Sequence, residues 1–231
     1  MRFKHIFFDL DHTLWDFDRN SELALEKALI DHNVTCDFDE FHNTYNPINA
    51  NYWELYAIGK IEKELLKFKR FQDTFKALDY LISDADIEVI SQYYMQVLPH
   101  FNHLHEGAED VLKILKPNYN LHIITNGFNE VSYQKLELSG IIGYFDQIIT
   151  SETTDSKKPD PIVFFEAMRM AGALPEESLM VGDNYKADVL GAEAVGMKAI
   201  WFDYKRTGEQ LHDQSITTLL DVHTLLDNYQ L

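Results

Sequence analysis

Two aspartates close an apolar run near the amino end of the chain, in Phe7-Phe8-Asp9-Leu10-Asp11-His12-Thr13. Three later segments carry polar groups in the same position, just after an apolar run. Thr125-Asn126-Gly127 follows Leu121-His122-Ile123-Ile124, and Gly182-Asp183 follows Leu179-Met180-Val181, with Asp188 five residues on. Between them a loop holds Lys157-Lys158-Pro159-Asp160. Carboxylates gathered in one place repel one another unless a cation neutralises them, and a set of hard oxygen ligands suits Mg²⁺. A lysine beside them is a point charge that can bind a phosphate oxygen. The Thr125 hydroxyl and neighbouring backbone N–H groups can bind another. Carboxylates, a lysine and a hydroxyl around a divalent cation are the parts of a phosphoryl-transfer site, where catalysis is mainly positioning and charge stabilisation.

Such a set works only if the fold brings four distant segments to one edge. Residues 3–10 read as a short buried strand. From about Ser21 to about Leu98 the texture is helical throughout. Ser21–Leu29 is rich in helix formers with Asn20 or Ser21 as N-cap, and segments 60–82 and 85–98 are similar. From about Gly107 strands and helices alternate. Ala108, Val111, Leu112 and Leu115 mark an amphipathic helix, and Leu121–Thr125 a strand. A helix over 129–139 follows, then a strand around Gln147–Thr150 and a helical stripe through Phe164, Ala167, Met168 and Ala171. A strand at Leu179–Gly182, a stripe through Ala187, Leu190, Gly191 and Ala194, and a strand at Lys198–Phe202 complete the pattern. Alternation of this kind predicts an α/β fold, a Rossmann-like doubly wound parallel sheet covered on both faces. The all-helical stretch is an insert after the first strand. The expected division is an α/β core of residues 1–16 and 101–231 and a helical domain of residues 17–100. In an open parallel sheet the ligand crevice lies at the carboxyl ends of the strands, where all four polar segments stand.

The composition fits this picture. The chain has 231 residues, 45% of them hydrophobic and 13% aromatic, which excludes disorder and fibrous repeats. With 20 Lys and Arg against 38 Asp and Glu, the formal charge is −18. That field repels nucleic-acid polymers and anionic membranes, so neither is expected as a partner. A small anionic substrate remains compatible if Mg²⁺ and Lys158 supply positive charge locally. The one cysteine, Cys36, cannot form an intrachain disulfide, which fits a reducing cytosol. The amino end reads as no signal peptide, since Asp9 and Asp11 interrupt its apolar run, and no run is long enough to span a membrane.

The ordered set Asp9-x-Asp11-x-Thr13, Thr125-Asn126, Lys158-Pro159 and Gly182-Asp183-x4-Asp188 resembles the four motifs of the haloacid dehalogenase-like superfamily, and the resemblance covers nearly the whole chain. The helical insert is similar to that superfamily's C1 cap, which would close over a substrate. Phe7–Leu14 and Ile123–Phe128 are similar, more narrowly, to its pyrimidine 5′-nucleotidase branch. The resemblance implies roles. Asp9 would be the nucleophile that forms an aspartyl-phosphate. Asp11 would protonate the leaving oxygen and then take a proton from water. Asp9, the backbone carbonyl of Asp11, and Asp183 would hold Mg²⁺. Thr125, Asn126 and Lys158 would bind the phosphate, while Asp188 and Thr13 would stand behind them and orient the groups that do. Where the family often has a glycine before the first-motif threonine, this chain has His12. An acid at position 11 separates phosphatases and phosphomutases from the dehalogenases, which protonate no alkoxide. The expectation is a Mg²⁺-dependent phosphomonoesterase acting on nucleoside 5′-monophosphates, pyrimidine ones first. A sugar-phosphate phosphatase or a β-phosphoglucomutase-like mutase would use the same core, and a binding protein would keep the fold without turnover.

Each element alone reads more simply as a turn or a surface lysine; only their conjunction in order argues for a site. Two other groupings take the simpler reading. His100-x-x-His103-x-His105 falls where the insert rejoins the core and reads as a polar hinge rather than a zinc site. Tyr52, Trp53 and Tyr56 read as packing of the helical domain rather than a stacking platform for a base, and Phe17 is a similar candidate.

Overall fold

The computed structural model describes residues 3–209 and 211–229. They form two compact units, one of residues 1–17 and 102–231, the other of residues 18–101. In chain order the elements are β1 (His5–Phe8), α1 (Phe17–Asp31), α2 (Phe38–Ala57), α3 (Lys63–Ala77), α4 (Asp84–Val97), α5 (Ala108–Leu115), β2 (Asn120–Ile124) and α6 (Asn129–Leu138). They continue with β3 (Phe145–Ile149), α7 (Pro161–Ala171), β4 (Ser178–Gly182), α8 (Gly191–Ala194), β5 (Lys198–Phe202), β6 (Ser215–Ile216) and α9 (Asp221–Tyr229).

The six strands make one parallel sheet in the order β3-β2-β1-β4-β5-β6. The expected doubly wound α/β architecture is what the chain adopts. The strands are short and nearly all buried, which is why they read as continuous apolar runs without alternation. One face carries the cluster of Phe7, Ile124, Phe164, Met168, Met180 and Val189 under α7 and α8. Because β1 lies centrally and the chain turns first to one side of it and then to the other, the order reverses between β1 and β4. Phe8 pairs with Ile123 on one side and with Val181 on the other, so the three strands end level. That register alone sets Asp9, Thr125 and Asp183 at one edge.

The helical unit packs around Phe41, Tyr45, Leu66, Phe71, Phe75, Ile87, Ile90 and Tyr94, all buried. Asp37 caps α2 by accepting from the Glu40 amide (2.9 Å), and Ser83 caps α4 by accepting from Asp86 (3.2 Å). Arg70 is 1% exposed, with its guanidinium 5.1 Å from the Tyr94 ring and 5.6 Å from Phe71. Tyr56 is buried with the Trp53 ring edge-on at 5.6 Å, and the Tyr52 hydroxyl donates to Asp73 (2.5 Å). No helix among the described residues is long and apolar enough to cross a membrane.

Several boundaries differ from the expectation. The first strand spans His5–Phe8 rather than 3–10, with Asp9 adding one more ladder bond to Val181 (2.9 Å). The first helix starts at Phe17, so Asn20 and Ser21 are buried inside it and are not its N-cap; Ser21 Oγ instead meets Tyr94 Oη at 2.8 Å. Tertiary packing there outweighs the capping preference. Residues Tyr185–Leu190 form a π-helical turn ahead of the very short α8. Strand β6 and helix α9 had no clear signal, because a two-residue strand carries no periodicity. The histidine triplet lies in the return segment. There the Asp16 amide donates to the His103 carbonyl (3.1 Å) and the His105 amide to the Leu14 carbonyl (2.9 Å).

Candidate active site

The loop after β1 turns sharply. The amides of Leu14 and Trp15 both donate to the Leu10 carbonyl, at 3.0 and 2.9 Å. His12 takes up a left-handed conformation, φ 65°, in this turn. That conformation favours glycine, so the family's usual residue at this place has a backbone reason. Here Tyr204 Oη bonds His12 Nδ1 at 3.0 Å, and the rings of Phe17 and Tyr204 lie 4.9 and 5.4 Å from the imidazole. Those contacts offset the strain of a side chain in that region.

Asp9 is 7% exposed and ion-pairs with Lys158, which is 2% exposed. Lys158 also reaches Asp188 Oδ1 at 2.6 Å, and Asp188 is fully buried. The second Asp188 oxygen accepts from the Asn184 amide at 3.0 Å. Gly182 makes this possible. A Cβ there would collide with the Asp188 carboxylate, so only glycine lets the turn after β4 fold back so closely. Thr13, fully buried, donates to Asp183 Oδ1 (3.2 Å) and accepts from the Asp183 amide (3.1 Å), tying the turn after β1 to the end of β4. Asn126 braces the lysine from the other side. Its carbonyl oxygen accepts from the Lys158 amide (2.8 Å) and its amide donates to the Lys158 carbonyl (2.9 Å). Thr125 is 2% exposed and its hydroxyl accepts from the Gly127 amide at 3.0 Å.

The electrostatics follow from burying three carboxylates with one ammonium. Burial pushes the Asp9 carboxyl up to about 7, against the pull of Lys158 and with the push of Asp188. Burial, then Asp9 and Asp188, hold Asp183 well above the usual carboxylate range. Burial pulls Lys158 down, but Asp188 and Asp9 outweigh it and keep the ammonium firmly charged. One ammonium is thus set among three carboxyl groups. The oxygens of Asp9, Asp183 and Asp188 lie within 4.8 Å of one another, the one such group of three possible metal ligands among the described residues. An all-oxygen set with surplus negative charge fits a hard divalent cation, which would favour the ionised form of each carboxylate.

The fold therefore brings Asp9, Asp183, Asp188, Lys158 and Thr13 together, with Thr125 and Asn126 alongside. One oxygen of the Asp11 carboxylate, Oδ1, accepts from Lys135 Nζ at 2.5 Å. Lys135 and Ser132 border these residues, and sequence reasoning did not single them out. Ser132, Lys135 and Leu136 are buried at i, i+3 and i+4 on α6. That stripe holds a serine, a lysine and one leucine, so no apolar periodicity marks it as buried.

Comparison with known proteins supports the same assignment. The family model for haloacid dehalogenase-like hydrolases matches residues 3–196. The chain is 31% identical over 230 residues to the pyrimidine 5′-nucleotidase PynA of Streptococcus pneumoniae, covering 98% of this chain and 95% of that one. It is 29% identical over 221 residues to a glyceraldehyde 3-phosphate phosphatase of Pyrococcus furiosus, covering 90% and 84%. Among solved structures it superposes on YfnB of Bacillus subtilis, crystallised bound to magnesium, with a TM-score of 0.90 at 27% identity, covering 98% and 100%. With its motif residues gathered at the switch point of the sheet, and a family model matching most of its length, this chain belongs to the haloacid dehalogenase-like hydrolases.

Proposed function

We propose that the protein is a Mg²⁺-dependent phosphomonoesterase that acts through an aspartyl-phosphate on Asp9, with nucleoside 5′-monophosphates, pyrimidine ones first, as its substrates. The observation that carries the mechanism is the buried Asp9–Lys158–Asp188 arrangement at the carboxyl end of β1, with Asp183 beside it. Asp9 and Asp183 would hold the cation, with Asp188 fixing Lys158 behind them, and the backbone carbonyl of Asp11 completes the protein's share. Mg²⁺, when bound, supplies positive charge against the phosphate oxygens and the developing charge. Lys158 and the Thr125 hydroxyl hold the phosphate, while Asn126 fixes the backbone from which Lys158 extends. Asp9 attacks phosphorus as the P–O bond to the leaving group breaks, and the leaving oxygen takes its proton from Asp11. Water then attacks the phosphoryl group, the P–O bond to Asp9 breaks with its electron pair returning to the carboxylate, and Asp11 takes the water's proton. The lone, half-buried Cys36 suits a cytosolic setting.

The nucleotide preference rests on the likeness to PynA. A second reading, a sugar-phosphate phosphatase, is favoured by the likeness to the Pyrococcus furiosus enzyme and uses the same core residues. The test is phosphate release with Mg²⁺ from a panel of ribonucleotides, deoxynucleotides and sugar phosphates, with an EDTA control. Pyrimidine monophosphates are expected to lead by at least about tenfold in kcat/KM, about 1.4 kcal/mol of discrimination. Sugar phosphates in the lead would move the substrate assignment and leave the mechanism standing. Asp9→Asn is expected to lose at least about ten-thousandfold in kcat; activity equal to wild type would sink the mechanism.

A further inference from the structure

Lys135 is 3% exposed, and a lysine is rarely buried so fully without a partner. Its Nζ donates to Asp11 Oδ1 at 2.5 Å and stands over the faces of two rings, 4.2 Å from the centroid of Trp15 and 5.0 Å from that of Phe17. Both rings come from the segment just after the first motif, while Lys135 comes from α6, 124 positions from Asp11. The ammonium is thus fixed from two directions, by a carboxylate and by a pair of aromatic faces. The other Asp11 oxygen points a different way. A Cβ placed on Gly127 would lie 3.5 Å from Asp11 Oδ2, 3.2 Å from Thr125 Oγ1 and 2.7 Å from Ser132 Oγ, so Oδ2 faces the same small space as the Thr125 hydroxyl. A buried ion pair is weak evidence for stability, since desolvation consumes most of the attraction; what it does reliably is fix one geometry.

We propose that Lys135 is a positioning residue for this reaction: by engaging Asp11 Oδ1 it aims Oδ2 as the oxygen that takes the proton from the attacking water. The proposal rests on the phosphatase reading above. In the hydrolytic half the water oxygen bonds to phosphorus, the bond to Asp9 breaks with its electron pair returning to Asp9, and one water proton passes to Asp11 Oδ2. Lys135 gives and takes no proton; its ammonium engages Asp11 and the two rings.

The test compares wild type with Lys135→Met and Lys135→Gln on p-nitrophenyl phosphate, whose leaving group needs no proton, and on a nucleoside monophosphate. A misaimed base slows hydrolysis of the aspartyl-phosphate and, on p-nitrophenyl phosphate, leaves transfer to Asp9 nearly intact. In Lys135→Met, kcat is therefore expected to fall about 100-fold on both substrates. KM for p-nitrophenyl phosphate falls with it, so that its kcat/KM stays within about threefold. A burst of one p-nitrophenol per active site accompanies the change. Lys135→Gln, which can still donate to Oδ1, is expected to recover part of kcat. Unchanged kcat, a kcat/KM that falls as far as kcat without a burst, or loss of the folded protein in both variants would each overturn the proposal. A wild type that releases no phosphate from either substrate would instead overturn the phosphatase reading and this inference with it.

Discussion

At Gly182 the absence of a single carbon makes room for the Asp188 carboxylate. The Asp188 carboxylate occupies the space that a Cβ would need, while accepting from Asn184 and pairing with Lys158. The Gly182→Ala protein must push Asp188 away, which costs about 1–3 kcal/mol as overpacking. Lys158 then loses one of its two carboxylates, and kcat is expected to fall about tenfold or more, as for other groups that orient an active-site partner. Denaturant titration and steady-state kinetics measure the two effects; an active, equally stable variant would show that Asp188 does not need this place. His12 is the complementary case at residue scale. A side chain sits where the turn prefers glycine, and the Tyr204 hydrogen bond and the flanking rings hold it there.

At the scale of elements, the sheet carries one buried polar contact that titrates. His5 on β1 and His122 on β2 are 6% and 1% exposed, with His5 Nδ1 3.0 Å from His122 Nε2. Burial, then the neighbouring His5, pushes His122 down to about 4, and burial lowers His5 as well. Below its ordinary value of 6.5 the unfolded chain binds a proton that the folded one refuses, so the His122 contribution to stability falls as pH drops from about 6.5 towards 4. Unfolding free energies at pH 7 and pH 4.5 are expected to differ more in wild type than in His122→Leu, which removes the titrating group. Equal slopes would mean that other groups set the acid limit. The same strands place Thr125 one residue beyond the level of Asp9, so the contact that costs stability in acid lies in the ladder that positions the site.

For the molecule as a whole, the balance of charge links metal, pH and stability. The chain carries a net −18, and three of its carboxylates cluster where one ammonium pairs with two of them. With Asp9 pushed up to about 7 from its ordinary 3.8, the metal-free folded state holds a proton that the unfolded chain has already lost. The stabilising contribution of Asp9 therefore declines as pH rises from about 4 to about 7, opposite in sign to that of His122. Mg²⁺ needs the ionised carboxylates, so it competes with that proton and binds better as pH rises. Adding Mg²⁺ is expected to raise the melting temperature, by about 2.7 kcal/mol of linkage at a concentration of about one hundred times Kd. The gain should be larger at pH 7.5 than at pH 5 and absent in Asp183→Asn. A gain that survives in that variant would place the cation elsewhere.

The sequence by itself determined the family, the candidate residues and their order along the chain. Asp9, Asp11, Thr125, Lys158, Asp183 and Asp188 stand after apolar runs that are strands for local reasons, and alternation of strand and helix implies a parallel sheet whose carboxyl edge collects them. It also made the helical insert legible, because helix formers over some eighty residues outweigh any single boundary error. The tertiary structure decided the pairings. That Asp188 and Asp9 share Lys158, that Asn126 grips the lysine's backbone, and that Lys135 reaches Asp11 across 124 positions depends on which strands adjoin and which helix face turns inward. No local pattern encodes this, since a lysine on an exposed face and a lysine within a buried stripe have the same intrinsic helix propensity. They differ only in what the rest of the chain folds around them.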